Sequence, residues 1–333
     1  LQIQAAIPPC YRVQFGAPLL EDEPLLPDYN PRLGRVDRNA SLASSNVRKY
    51  VRAIVSDLYK NYPEISGFKF DWPEYPLYHF DTLFYDFNPS MGVFAAKLDL
   101  DLNALAKATN QFLKDLEGGL LRGKGIELDD FGNFIQSIIA AYPFIKDLLA
   151  LRKYVVTDYA RFLRDTINEV SNGKCGIFLQ SFPPPLNVAT GFDSKEIEPF
   201  CTAIGIKFYT MHWPVIEADF LKTLADRANF PKEETAKVIS QLLSLSPDIS
   251  RKPHEIRYPE PNEVHPATTE ILREKMKMAR QEVSNVPVWG ISHGYGPLED
   301  VMRRFEALEG GPVQMNRYAY LSNEKLLAIG ARQ

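Results

Sequence analysis

The sequence predicts an α/β fold of parallel strands joined by helical crossovers, and three observations predict it. Six short strand-like runs alternate with amphipathic helical patterns along the chain. Polar and aromatic residues recur at the C-terminal ends of those runs, the edge where barrels of this kind hold their functional groups. No glycine-rich nucleotide fingerprint follows any strand, which favours a closed (β/α)8 TIM-type barrel over an open dinucleotide-binding sheet. A full barrel needs two more strands than the chain displays. Its abrupt start at Leu1, without a methionine, suggests that they lie upstream, with any targeting signal. Residues 1–333 read as one barrel domain, with 80–150 as a helical insertion within it.

Taken in order, residues 1–7 (Leu-Gln-Ile-Gln-Ala-Ala-Ile) form a buried strand stopped by Pro8-Pro9, and a Pro- and Asp-rich loop runs to about residue 43. Ser44, Ser45 and Asn46 offer N-caps. Val47, Tyr50, Val51, Ile54, Val55, Leu58 and Tyr59 follow at helical spacing, so 46–61 is an amphipathic helix leading to the strand Gly67-Phe68-Lys69-Phe70-Asp71. The next strand begins about a hundred residues later. Between them lie helical patterns at 101–117 and 128–171, separated by Gly118, Gly119, Gly123 and Gly125. Strands then follow at 176–181, 203–211, 286–292 and 313–318. Helices are expected near 194–201, 216–228, 232–245, 267–284, 297–309 and 323–329.

Composition narrows the function classes. A chain 45% hydrophobic and 24% charged is an ordinary globular one, and a net charge of −4 without a basic block argues against nucleic acid as a partner. No run of eighteen apolar residues suggests a membrane span. Cys10, Cys175 and Cys201, odd in number and widely spaced, fit neither a disulfide framework nor a cysteine-rich zinc site and point to a reducing, cytoplasmic compartment. Nothing calls for a cofactor, and a homo-oligomer is compatible with the sequence. Aromatics reach 12%, many of them beside turn residues, where they can stack on sugar rings as readily as fill a core.

Strand alternation sets Phe68 and Phe70 on one face of the second strand and Lys69 and Asp71 on the other, so Asp71 points to the barrel mouth. It opens the proline-stiffened loop Trp72-Pro73-Glu74-Tyr75-Pro76, which adds a second carboxylate at Glu74. Laid side by side, the other strand ends bring Arg12, Gln180, Tyr209, His212, Trp213, Trp289, His293, Tyr295 and Asn316 to the same edge. Apolar strands do not repeatedly end in such groups without a polar ligand or buried water to satisfy them.

The segment Gly-Phe-Lys-Phe-Asp-Trp at 67–72 resembles the strand and nucleophile segment of glycoside hydrolase barrels, in particular the group of α-fucosidases, α-galactosidases and uncharacterised glycosidase-like proteins. The likeness extends weakly across the chain, through Asn46-Val47-Arg48 in the first helix and a last strand ending in Asn316-Arg317-Tyr318 before a Ser-Asn-capped helix. It implies a carbohydrate substrate, with Asp71 as nucleophile or oxocarbenium-stabilising carboxylate. The chemistry also needs a carboxyl that protonates the departing oxygen, roughly 5–5.5 Å away for retention or 6.5–9.5 Å for inversion. Glu74 and Glu217 are the candidates, with Asp193, Asp219, Glu260 and Glu263 as rivals in later loops. In an acidic first helical turn Glu217 equally suits the helix dipole. Two other readings remain open: a metal-dependent barrel hydrolase or isomerase with Asp71, His212 and His293 as ligands, and a carbohydrate-binding barrel without catalysis.

Overall fold

The computed structural model describes residues 4–6, 20–33, 39–128, 131–243 and 252–332. Its centre is one sheet of six parallel strands in sequential order: β1 (Gln4–Ala6), β2 (Gly67–Phe70), β3 (Gly176–Ser181), β4 (Ala203–Lys207), β5 (Val288–His293) and β6 (Val313–Asn316). Around it run α1 (Ser45–Asn61), α2 (Gly92–Ala96), α3 (Leu102–Glu117), α4 (Phe131–Ala141), α5 (Phe144–Ser171), α6 (Leu186–Thr190) and α7 (Ser194–Ile197). Then come α8 (Trp213–Lys222), α9 (Lys232–Leu243), α10 (Thr269–Gln281), α11 (Leu298–Ala307) and α12 (Asn323–Gly330).

The sheet is curled. Four spacings of about 4.8 Å would hold β2 and β6 roughly 19 Å apart if it were flat, too far for two side chains to bridge. Lys69 on β2 nevertheless donates to Gln314 on β6 at 2.7 Å. The six strands thus form a partial barrel with a concave lumen.

Register assigns the faces. Phe68, Phe70, Ile177, Leu179, Ile204 and Ile206 are fully buried on the convex side. Each such side chain contributes roughly 1.5–3 kcal/mol on leaving water. The lumen receives Lys69 beside Phe178, then Gln180, Gly205 and Trp289 in one row, and Lys207, Ile291 and Gln314 in the next. Gly205 is required there, since a Cβ would come within 2.6 Å of both Phe178 Cζ and Ile291 Cδ1.

Most expected elements form, with boundaries moved by local chemistry. Helix α1 starts where Ser44 accepts from the Asn46 and Val47 N–H groups, and it buries Val47, Val51 and Val55. The helical pattern at 128–171 divides at Tyr142-Pro143 into α4 and α5, which meet at 101°. Strand β4 ends at Lys207, short of residue 211. Strand β6 ends at Asn316 because Arg317 takes a left-handed conformation, φ 60°. The helix expected at 194–201 shortens to α7 plus a 3-10 turn containing Pro199, and that expected at 216–228 starts earlier, at Trp213, with Pro214 in its first turn. No single helix among the described residues is long and apolar enough to cross a membrane; the bent pair α4–α5 passes by length and composition only.

Candidate functional site

The lumen face leads up to a polar floor. Asp71 follows β2 in the bend that starts its loop and is half-buried. Gln180 lies between it and Lys69: in the amide orientation that suits both neighbours, the Gln180 NH2 donates to Asp71 Oδ1 and its carbonyl accepts from Lys69 Nζ at 2.5 Å. Burial lowers the Lys69 pKa to about 8, with the Asp71 charge opposing that shift and Lys207 adding to it. Below these groups Trp289 packs on Phe178, centroids 5.4 Å apart.

Above the floor stands a ring of aromatic and imidazole groups. The Tyr209 hydroxyl accepts from Asn316 Nδ2 at 2.6 Å, and its ring lies between His212 and His293, at 5.8 and 5.7 Å. Tyr78 is hydrogen-bonded to His212 Nδ1 at 2.8 Å, and the Tyr295 N–H donates to His293 Nδ1 at 3.0 Å. Tyr258 and Tyr320 extend the ring over His212, His293 and Tyr295. Burial pushes His212 down to about 4 and His293 to about 3, helped by the Arg317 charge in both cases. Burial first and the Asp71 charge second hold Tyr209 well above the usual phenol range. Near neutral pH both imidazoles are therefore neutral and Tyr209 is protonated, giving donors and acceptors suited to hydroxyl groups.

The other carboxylates occupy different places. Glu74 is fully buried: it pairs with Lys207 Nζ at 2.8 Å and accepts from the Phe182 N–H, Ser181 Oγ and Thr190 Oγ1 at 2.9, 3.2 and 2.6 Å. Burial pushes its pKa up, while Lys207 and those hydrogen bonds work against the shift. Lys207 also donates to the Asp71 carbonyl at 3.0 Å and lies over the Trp72 ring at 4.0 Å. Glu74 thus acts through Lys207 on the backbone of Asp71 and the face of Trp72, from inside the protein.

Glu217 is likewise fully buried, accepting from Ser240 Oγ of α9 at 2.6 Å, away from the strand ends. Asp219 is occupied by His79 and the Phe80 N–H, Asp193 caps α7, and Glu263 is held by Arg257. Glu260 is exposed, on a loop fastened to the ring where the Tyr295 hydroxyl donates to the Pro259 carbonyl at 2.9 Å. Trp213 is not brought to the mouth: it is buried at the start of α8 with Lys275 Nζ 5.7 Å from its ring centroid. Arg12 lies outside the described residues.

Asp71, Trp72, Gln180, Tyr209, His212, Trp289, His293, Tyr295 and Asn316 are therefore gathered around one concavity, and Glu74 supports it from behind. The local pattern did not reveal Lys207, Gln314 or Tyr78, and it placed Lys69 only on the same strand face as Asp71. Lys207 was detectable, because Gly205, Lys207 and Tyr209 alternate along β4 and its extension. Among the described residues no three His, Cys, Asp or Glu side chains converge as metal ligands. Cys175 and Cys201 are both free and buried; Cys10 is outside the described residues.

No protein-family model and no curated protein matches the chain. Among solved structures it is similar to a polyextremophilic β-galactosidase from the Antarctic haloarchaeon Halorubrum lacusprofundi, at TM-score 0.52 and 11% identity over 96% of this chain and 43% of that one. It also matches a β-galactosidase from the psychrophilic Marinomonas ef1, at TM-score 0.49 and 11% identity over 96% of this chain and 44% of that one. The chain spans less than half the length of these proteins. The haloarchaeal match supports a glycosidase-like fold, and at this identity it speaks of the fold alone.

Proposed function

We propose that the protein acts on carbohydrate as a glycoside hydrolase, with Asp71 as the carboxylate that attacks or stabilises the oxocarbenium-like transition state. The observation that carries this reading is the setting of Asp71 between the Gln180 amide and the Lys207 tie, under a ring of Trp, Tyr and neutral His side chains. A sugar stacks its apolar face on such rings and exchanges hydroxyl hydrogen bonds with Asn316, Tyr209 and the imidazoles. Lys69 reaches Asp71 through the Gln180 amide. The departing oxygen needs a proton. Glu74 and Glu217 are enclosed and committed to other partners, so that role falls to Glu260 on the rim.

A set of glycosides with alkyl and with 2,4-dinitrophenyl leaving groups tests these assignments. Asp71→Asn should abolish turnover on both. Glu260→Gln should spare the activated aryl substrates, which leave without a proton, and lose the alkyl ones. Wild-type protein that turns over no glycoside would overturn the hydrolase reading. The burial of Glu74 and Glu217 favours a second reading, a sugar-binding barrel without catalysis; saturable sugar binding with no turnover in wild type would select it.

A further inference from the structure

Arg317 follows β6 at the mouth. Its backbone is left-handed, φ 60°, which is uncommon for a residue with a Cβ. The turn is held from both sides: the Arg317 N–H donates to Asn316 Oδ1 at 3.0 Å, and its carbonyl accepts from the Tyr320 N–H at 3.1 Å. Through Nδ2 the same Asn316 donates to the Tyr209 hydroxyl at 2.6 Å. One amide side chain thus ties the Arg317 backbone to the centre of the aromatic ring. Arg317 itself is exposed, so a ligand in the cleft reaches it from solvent.

Its charge falls on the opening. Burial is the main cause of the pKa shifts at His212, His293, Tyr209 and Tyr258, and the Arg317 cation contributes to all four. Those side chains neighbour one another around the mouth, so a cation that acts on each of them lies over it. The other cations near the mouth are engaged: Lys69 by Gln180 and Gln314, Lys207 by Glu74, Lys325 by the Gly294 and Tyr320 carbonyls, and Arg304 by Asp300. Among the described residues no ion pair or side-chain hydrogen bond engages the Arg317 guanidinium. At the floor, Asp71 and Glu74 offset Lys69 and Lys207, which leaves the Arg317 charge uncompensated above them.

A neutral sugar satisfies the phenols and imidazoles and makes no use of that charge. A carboxylate does: its two oxygens match the guanidinium fork in paired hydrogen bonds, roughly twice as strong as neutral ones. We propose that the sugar bound at the mouth is a hexuronate, its ring among Tyr209 and the imidazoles and its carboxylate on Arg317. This rests on the reading of the mouth as a carbohydrate site and narrows that reading to acidic sugars. One guanidinium matches one negative charge, whereas a phosphate ester carries nearly two at neutral pH and calls for further cations.

The test is isothermal titration calorimetry of the full chain with free glucuronate and galacturonate, and with glucose and galactose as their neutral counterparts. Free sugars present both anomers, so no linkage has to be assumed. Wild-type protein should bind one of the uronates at one-to-one stoichiometry, at least about tenfold more tightly than its neutral counterpart. Arg317→Met should erase that difference and leave the affinity for the neutral sugar unchanged. The proposal is overturned by no uronate binding in wild type, by equal affinity for uronate and neutral sugar, by uronate binding undiminished in Arg317→Met, or by acetate that displaces the uronate at equal concentration. The wild-type comparisons decide the matter even if Arg317→Met does not fold. Protein that binds uronate and hydrolyses no glycoside loses the hydrolase reading and keeps this one; protein that cleaves glycosides and shows no preference for uronate does the opposite.

Discussion

The molecule has two hollows, and both draw on the chain that follows β2. At the mouth, residues 71–78 contribute Asp71, Trp72 and Tyr78 to a lining where charges are balanced: Glu74 answers Lys207, and Gln180 joins Asp71 to Lys69. A few residues on, Phe80, Leu83 and Phe84 line an apolar hollow, with the Arg152 guanidinium buried behind it on the Thr82 and Leu83 carbonyls. The first hollow is charge-balanced at its floor, with the Arg317 cation above it. The second is apolar almost throughout, and the buried cation behind it is acted on by buried Asp86.

Substitutions put that contrast to the test. The largest effect belongs to Asp71→Asn, expected to lower turnover on a responsive glycoside at least about a thousandfold, on the order of 4 kcal/mol in the barrier, with the thermal unfolding midpoint almost unmoved. Glu74→Gln should do the reverse in kind: it leaves Lys207 buried without its counter-charge and should cost about 3–5 kcal/mol in urea unfolding. The pair Glu74→Gln with Lys207→Met should recover part of that loss. If Glu74→Gln proves stable and inactive instead, Glu74 is a catalytic acid and the contrast between the two carboxylates fails.

Filling space should also act oppositely in the two hollows. Gly205→Ala on the lumen floor pushes a methyl group into Phe178 and Ile291 and should cost about 1–3 kcal/mol. Ile139→Trp in the apolar hollow should leave the unfolding free energy unchanged or raised. The smallest expected effect concerns pH. Lys69 has a folded pKa near 8 against 10.5 unfolded, so between those values the unfolded chain holds more protons and stability rises with pH. Lys69→Met should flatten that rise in denaturation curves recorded from pH 8 to 10.5.

Much of the architecture could be read from residue order, because strand period and helix period are local properties. Phe68 and Phe70 against Lys69 and Asp71 gave the two faces of β2 correctly, and the helix at 46–61 follows from its apolar spacing and Ser44. The site was legible where it sits on strand ends, as with Gln180, Tyr209, His293 and Asn316. It was illegible where the chain leaves the strand. Only Trp72 and Pro73 separate Glu74 from Asp71, yet the loop turns the carboxylate back beneath Lys207, a contact spanning over a hundred residues that no local pattern encodes. Trp213 follows His212 directly, but α8 begins there and rotates the indole into the core. The apolar hollow was invisible for the same reason, since α3, α4, α5, α6, α8 and α9 all line it with apolar faces that each look like ordinary core.

The ammonium of Lys207 over the Trp72 ring has a practical consequence. Of the three indoles in the chain, one carries a cation 4.0 Å from its centre at the rim of the mouth, one is enclosed in α8, and one lies half-exposed on the lumen floor. Their emission spectra should differ accordingly. Occupancy of the cleft then becomes visible as a change in native fluorescence, without any label, dye or turnover assay.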